Sequence, residues 1–189
     1  METHKPAAVS GFTLIELLIV LALLSIIALQ VAPAARNLMD HAQTRASLNE
    51  LIGLINLGRS TSVYESIITT LCPVDSEFKC TNDWSKPIAL FIDPEKHRRV
   101  TNEDLIIRVI SPPKHGQLSA KTGIRRYFSF QPNGMARHAI GSILWCPPDQ
   151  DSSKAVQIRI NMGGRPRLAE DTDGDGIVEG ADGNPVTCA

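Results

Sequence analysis

Aromatic residues make up only 5% of the chain, and the few that occur sit in apolar runs that read as core. No stacking platform for bases is on offer, which leaves phosphate as the one part of a nucleic acid this chain could grip. The five histidines (His4, His41, His97, His115, His138) and the four cysteines show no metal-ligand spacing, which excludes a zinc site of ordinary design. No glycine loop cradles a nucleotide phosphate, because Gly163-Gly164 is too short and lacks a following Lys-Ser/Thr. No nucleophile, base or paired carboxylates form a constellation that could be named, so the chain does not read as an enzyme. There is no internal repeat. No charge sign dominates either: 19 Lys/Arg stand against 20 Asp/Glu, for a net charge of -1.

What the chain does have is one long apolar run. It extends from Phe12 to Ala35, with Glu16 as its only charge. At about 1.5 Å per residue, roughly twenty such residues cross the 30 Å hydrocarbon core of a bilayer, so 12–35 predicts a membrane-spanning helix. A charge within such a helix costs about 2.5–3.5 kcal/mol, so Glu16 needs a partner. Ahead of the run lies a short polar leader, residues 1–11, with Lys5. No A-x-A cleavage site closes the run as a secretory signal would require; the small residue is Gly11, in front of it.

Beyond the run, roughly 130 residues remain, enough for one core-bearing domain. Leu48, Leu51, Ile52 and Ile55 recur at helical spacing, so 36–64 predicts an amphipathic continuation of the helix, ending near Val63 or Tyr64. The rest, 65–189, reads as short strands: 66–71, 87–92, 104–110, 125–130, 142–146, 155–162 and 165–168. Gln131-Pro132-Asn133-Gly134 forms a turn in which proline presets φ and glycine supplies positive φ. Twelve prolines and 13 glycines suit such a loop-rich β domain. A long helix followed by six or seven short strands is an α+β pattern.

Charge is distributed unevenly. From Lys96 to Arg167 there are thirteen Lys/Arg and four acids, whereas the last 22 residues carry six acids and no Lys/Arg. Such asymmetry can draw a polyanion to one face. Gly164-Arg165-Pro166-Arg167 sharpens the point: in an extended segment Arg165 and Arg167 share a face, with two planar forks roughly 6–7 Å apart, matched to consecutive phosphates. Arg159 and Arg137 are weaker additions to that patch. Asp171-Thr172-Asp173-Gly174-Asp175-Gly176 places carboxylates at positions one, three and five of a loop with glycine at six, Glu179 at nine and Asp182 at twelve. That spacing gathers hard oxygens around a calcium ion, although Asp182 stands where a bidentate Glu is usual. No cofactor is otherwise required. Cys72, Cys80, Cys146 and Cys188 predict two disulfides in an oxidising compartment, with three pairings open; a short Cys72–Cys80 loop and a Cys146–Cys188 tie to the tail are favoured.

Gly11-Phe12-Thr13-Leu14-Ile15-Glu16, behind a basic leader and ahead of a long apolar helix, resembles the class III signal of type IV prepilins. Phe128, Phe130, Pro132 and Gly134, the Ser142–Cys146 strand, Gln157–Ile160 and Gly164–Leu168 resemble the minor-pilin branch that includes FimT, FimU and the pseudopilin GspH. The resemblance implies a type IV pilin fold, with the helix packed on a small antiparallel β domain. It implies cleavage after Gly11 by a prepilin peptidase, methylation at Phe12, and residence in the inner membrane before assembly into a filament with major and minor pilins, in the periplasm or at the cell surface. Glu16 would pair with the N-terminal ammonium of a neighbouring subunit. The GRxR sequence is similar to that of FimT-type minor pilins, which implies capture of double-stranded DNA in natural transformation through Gly164, Arg165 and Arg167. A FimU-like or GspH-like structural subunit that primes assembly without binding DNA is the competing implication.

Overall fold

The apolar period of 48–55 buries one stripe of a helix, and that stripe builds the core. In the computed structural model, which describes residues 13–123, 125–136 and 140–188 (excluding the side chains of 30–37 and 40), helix α1 runs Leu14–Tyr64. It ends where the sequence places its end. At its start the Thr13 hydroxyl accepts from the Glu16 backbone N–H at 3.3 Å, an N-terminal cap that satisfies one of the helix's orphan donors. The chain divides into two units, residues 1–42 and 43–189.

In the first unit the large apolar side chains from Leu14 to Leu29 are exposed along the helix. Among the described residues no helix is long and apolar enough to cross a membrane. Of the span expected over 12–35, Phe12 and the side chains of 30–35 lie outside the described residues.

In the second unit, eight strands follow the helix among the described residues: β1 (Thr69–Pro73), β2 (Ile88–Ile92), β3 (Ile106–Ile110), β4 (Gln117–Lys121), β5 (Phe128–Phe130), β6 (Gly141–Cys146), β7 (Val156–Ile160) and β8 (Pro166–Leu168). They form two four-stranded sheets, ordered β3-β2-β1-β5 and β4-β6-β7-β8, with every pair antiparallel. Leu48, Leu51, Leu54 and Ile55 of α1 share one core cluster with Leu71, Leu90, Phe128 and Phe130 of the first sheet and Ile143, Ile158 and Ile160 of the second. Gly58 lets the helix approach closely: a Cβ there would press on Leu90 Cδ1 at 2.7 Å, and the Gly58 carbonyl accepts from Thr69 Oγ1 at 2.9 Å.

Among the described strands, β4 is the one the sequence pattern did not yield. Both disulfides take the favoured pairings, Cys72–Cys80 and Cys146–Cys188. The second ties the tail to the last residue of β6.

Candidate nucleic-acid interface

Strand register decides which cations are neighbours, because directly opposite residues point to the same side of a sheet. In the second sheet one row reads Lys121, Ser142, Arg159, Arg167 across β4, β6, β7 and β8. The next row contains Ile143 and Ile158, both fully buried, so the Lys121–Arg167 row faces away from the core. Strands lie about 4.8 Å apart, which places three cations within roughly 15 Å. Arg159 and Arg167 are direct partners, with Cβ atoms about 5 Å apart. Among the described residues neither takes part in an ion pair, and Arg165 does not either. Arg165 and Arg167 are exposed and Arg159 is half-buried. Lys121 is the member of this row that the sequence reading missed, because it missed β4.

The hairpin that presents Arg165 and Arg167 is held from behind. The chain reverses at Asn161–Gly164, where the Gly164 N–H donates to the Asn161 carbonyl at 2.9 Å. The Arg165 N–H donates to Asn161 Oδ1 at 3.2 Å. Gly164 has φ +69°, and a Cβ there would overlap the Gly134 carbonyl oxygen. Both conditions demand glycine. Gly164 is buried, so its part is to shape the turn rather than to offer its backbone to a ligand. Arg59 of α1 donates from Nε to the Gly163 carbonyl at 3.0 Å, and the Ala136 N–H donates to the Met162 carbonyl at 3.0 Å. The helix and the Pro132–Gly134 turn thus fix the hairpin. Gly11, Phe12 and Arg137 lie outside the described residues.

A second group of cations sits apart from this row. Lys96, Arg98 and Arg125 line a recess of about 320 Å³ on the first sheet, with Asp93 and Tyr127. The Arg98 guanidinium lies 4.8 Å from the centroid of the Tyr127 ring. Asp93 is buried and accepts from Thr70 Oγ1 and from the His97 and Arg98 N–H groups, so it organises this basic loop.

The acidic tail lies along the outward face of the second sheet. Val186, with Ile177, Val178 and Cys188, packs on Leu144, Cys146 and Ala155. Between tail and sheet is a recess of about 380 Å³, lined by Lys121, Gln157, Arg159 and Asp182. The Asp182 carboxyl is held below the usual carboxylate range, chiefly by hydrogen bonds from Asn184, with Lys121 adding a smaller attraction.

The carboxylate loop departs from the sequence expectation at one position. One carboxylate oxygen each from Asp171, Asp173, Asp175 and Glu179 lies within 4.8 Å of the others, and Asp182 is not in the group. The reason is a tight reversal: the Gly183 N–H donates to the Gly180 carbonyl and the Gly180 N–H to that of Asn184, which carries Asp182 into a separate turn.

A model of the family described as type II transport protein GspH matches residues 47–164, and the prokaryotic N-terminal methylation motif matches residues 7–29. The structure is similar to that of the type IV minor pilin FimU of Pseudomonas aeruginosa in two crystal forms. Sequence identity is 15% in both, TM-scores are 0.50 and 0.51, and coverage is 77% of this chain against 94% and 99% of FimU. It is also similar to the minor pseudopilin EpsH of the type 2 secretion system of Vibrio cholerae, at 10% identity and a TM-score of 0.46, over 66% of this chain and 94% of EpsH. No curated protein sequence matches the chain significantly. The likeness to FimU carries the fold. The family match ends at Gly164, so Arg165, Arg167 and the carboxylate loop lie beyond it.

Proposed function

Because the chain belongs to the GspH family of type II transport proteins, we propose that it is a minor pilin whose β7–β8 edge binds the phosphate backbone of extracellular DNA for uptake. As a minor pilin or pseudopilin it is a structural filament component, not an enzyme. The observation that carries the DNA reading is the direct pairing of Arg159 with Arg167, neither ion-paired among the described residues. Like charges directly opposite on a sheet repel, and a phosphate between them converts that cost into attraction. Arg165, immediately before β8, adds a third fork, and Lys121 extends the row. Contacts of this kind read charge and spacing, so binding is indifferent to sequence, as an uptake protein requires.

A second reading follows from the extent of the family match, which includes Arg159 but stops before Arg165 and Arg167. In it the chain primes filament assembly, and the basic row docks an acidic face of another pilin.

Fluorescence anisotropy of a labelled 30-base-pair duplex, titrated with the full chain in non-ionic detergent micelles, separates the two. The DNA reading expects Arg165→Gln/Arg167→Gln to weaken binding at least about tenfold at low salt, since each charge-assisted contact is worth about 1.5–3 kcal/mol. Equal titration curves for the two proteins, or no binding by the parent chain, would leave the arginines to subunit contacts.

A further inference from the structure

Glu179 is 6% exposed, and among the described residues half of its carboxylate has no partner. Oε2 accepts from the Thr172 N–H at 2.6 Å and from Thr172 Oγ1 at 2.7 Å, while Oε1 is buried and meets no donor among the described residues. A buried carboxylate oxygen without a donor is among the most unfavourable groups a fold can hold. This carboxylate also belongs to the group in which one oxygen each from Asp171, Asp173, Asp175 and Glu179 lies within 4.8 Å of the rest. The orphaned oxygen and the gathering of four acids have one common remedy, a cation among them.

We propose that Asp171, Asp173, Asp175 and Glu179 form a calcium site that clamps the C-terminal tail to the outer face of the second sheet. The donor set is all oxygen and all carboxylate, which selects a hard cation over zinc or copper. Four carboxylates on a loop, three of them exposed, suit the larger and more adaptable shell of calcium; magnesium holds its waters and demands a regular octahedron. Glu179 keeps the ligand place that the sequence assigned to it, and Asp182 falls outside the group. Its position is mechanically useful, because the neighbouring Val178 carbonyl accepts from the Val186 N–H at 3.0 Å, and Ile177 and Val178 pack with Val186 against Leu144 and Cys146. The ion fixes the near end of the tail and the Cys146–Cys188 disulfide fixes the far end. Nothing in this proposal depends on DNA.

The test is calorimetric titration of calcium chloride into the full chain, stripped with a chelator, in detergent micelles, with thermal melts in parallel. One ion per chain is expected, with a Kd between about 10⁻⁶ and 10⁻³ M, the span from sensor sites to extracellular modules. The Tm should rise by several degrees at saturation, because an ion bound only by the folded state stabilises it. Asp173→Asn, at an exposed position, should weaken calcium binding at least about tenfold while melting like the parent in chelator. Asp182→Asn should bind as the parent does. Glu179→Gln should lose calcium binding yet melt in chelator no lower than the parent, since it removes a buried charge. Absence of binding up to about 10 mM calcium, above the weakest of these modules, overturns the proposal. So does an equal loss in the Asp173 and Asp182 variants, which would mean diffuse attraction to a set of surface acids.

Discussion

Arg167 and Arg159 face each other across β7 and β8, and their repulsion fixes the sign of a substitution. Opposed like charges cost roughly 0.2–1 kcal/mol. Arg167→Gln, without DNA, is therefore expected to stabilise the protein by up to about 0.5 kcal/mol at low salt. The gain should vanish near 1 M salt, where the screening length falls to about 3 Å. Urea denaturation of the two proteins at both salt concentrations measures this. Loss of stability would instead mean that Arg167 has an acidic partner in the folded chain. Gly164 works differently: it is the point where the 161–165 turn touches the 131–135 turn, and no side chain fits between them. The motif thus contains two exposed cations and one buried turn residue.

At the scale of elements, the two disulfides close loops of unequal length, with sequence separations of 8 and 42. Loop-closure entropy assigns them about 2.5 and 4 kcal/mol. Cys146→Ala/Cys188→Ala should therefore lower the urea-derived stability more than Cys72→Ala/Cys80→Ala, and a reversed order would show that the tail is held by other contacts. The helix end, most strands and the Cys72–Cys80 pair could be read from local pattern, because each is set by nearby residues: an apolar stripe, a Pro-Asn-Gly turn, a short loop. Strand β4 could not. Gln117–Lys121 (QLSAK) offers one large apolar residue, Leu118, and sits between Pro112-Pro113 and Gly123. Its pairing with β6 supplies what its own sequence does not. Lys121 went unnoticed for that reason, since its alignment with Arg159 and Arg167 exists only in the register. Asp182 shows the converse. Its spacing fits a ligand, but the Gly180–Gly183 reversal, closed by backbone hydrogen bonds, turns it away.

For the whole molecule, net charge predicts no affinity for a polyanion, since the chain carries -1. Any affinity must come from arrangement. Lys121, Arg159, Arg165 and Arg167 offer about four phosphate contacts, and neutralising four phosphates of duplex DNA gives a slope near -3.6 for log K against log salt. Affinity should then fall about 150-fold between 50 and 200 mM salt, equally for duplexes of unrelated sequence. Arg165→Gln/Arg167→Gln should reduce the slope by about 1.8, and Lys121→Gln by about 0.9. Asp182 enters here because it lies in the same recess as Lys121 and Arg159. Asp182→Asn removes a competing anion and should tighten binding at low salt while leaving calcium affinity unchanged. A salt titration of these variants by anisotropy measures every term. A slope that does not respond to Lys121 or to Asp182 would confine the interface to the hairpin tip, with the row across the sheet playing no part in it.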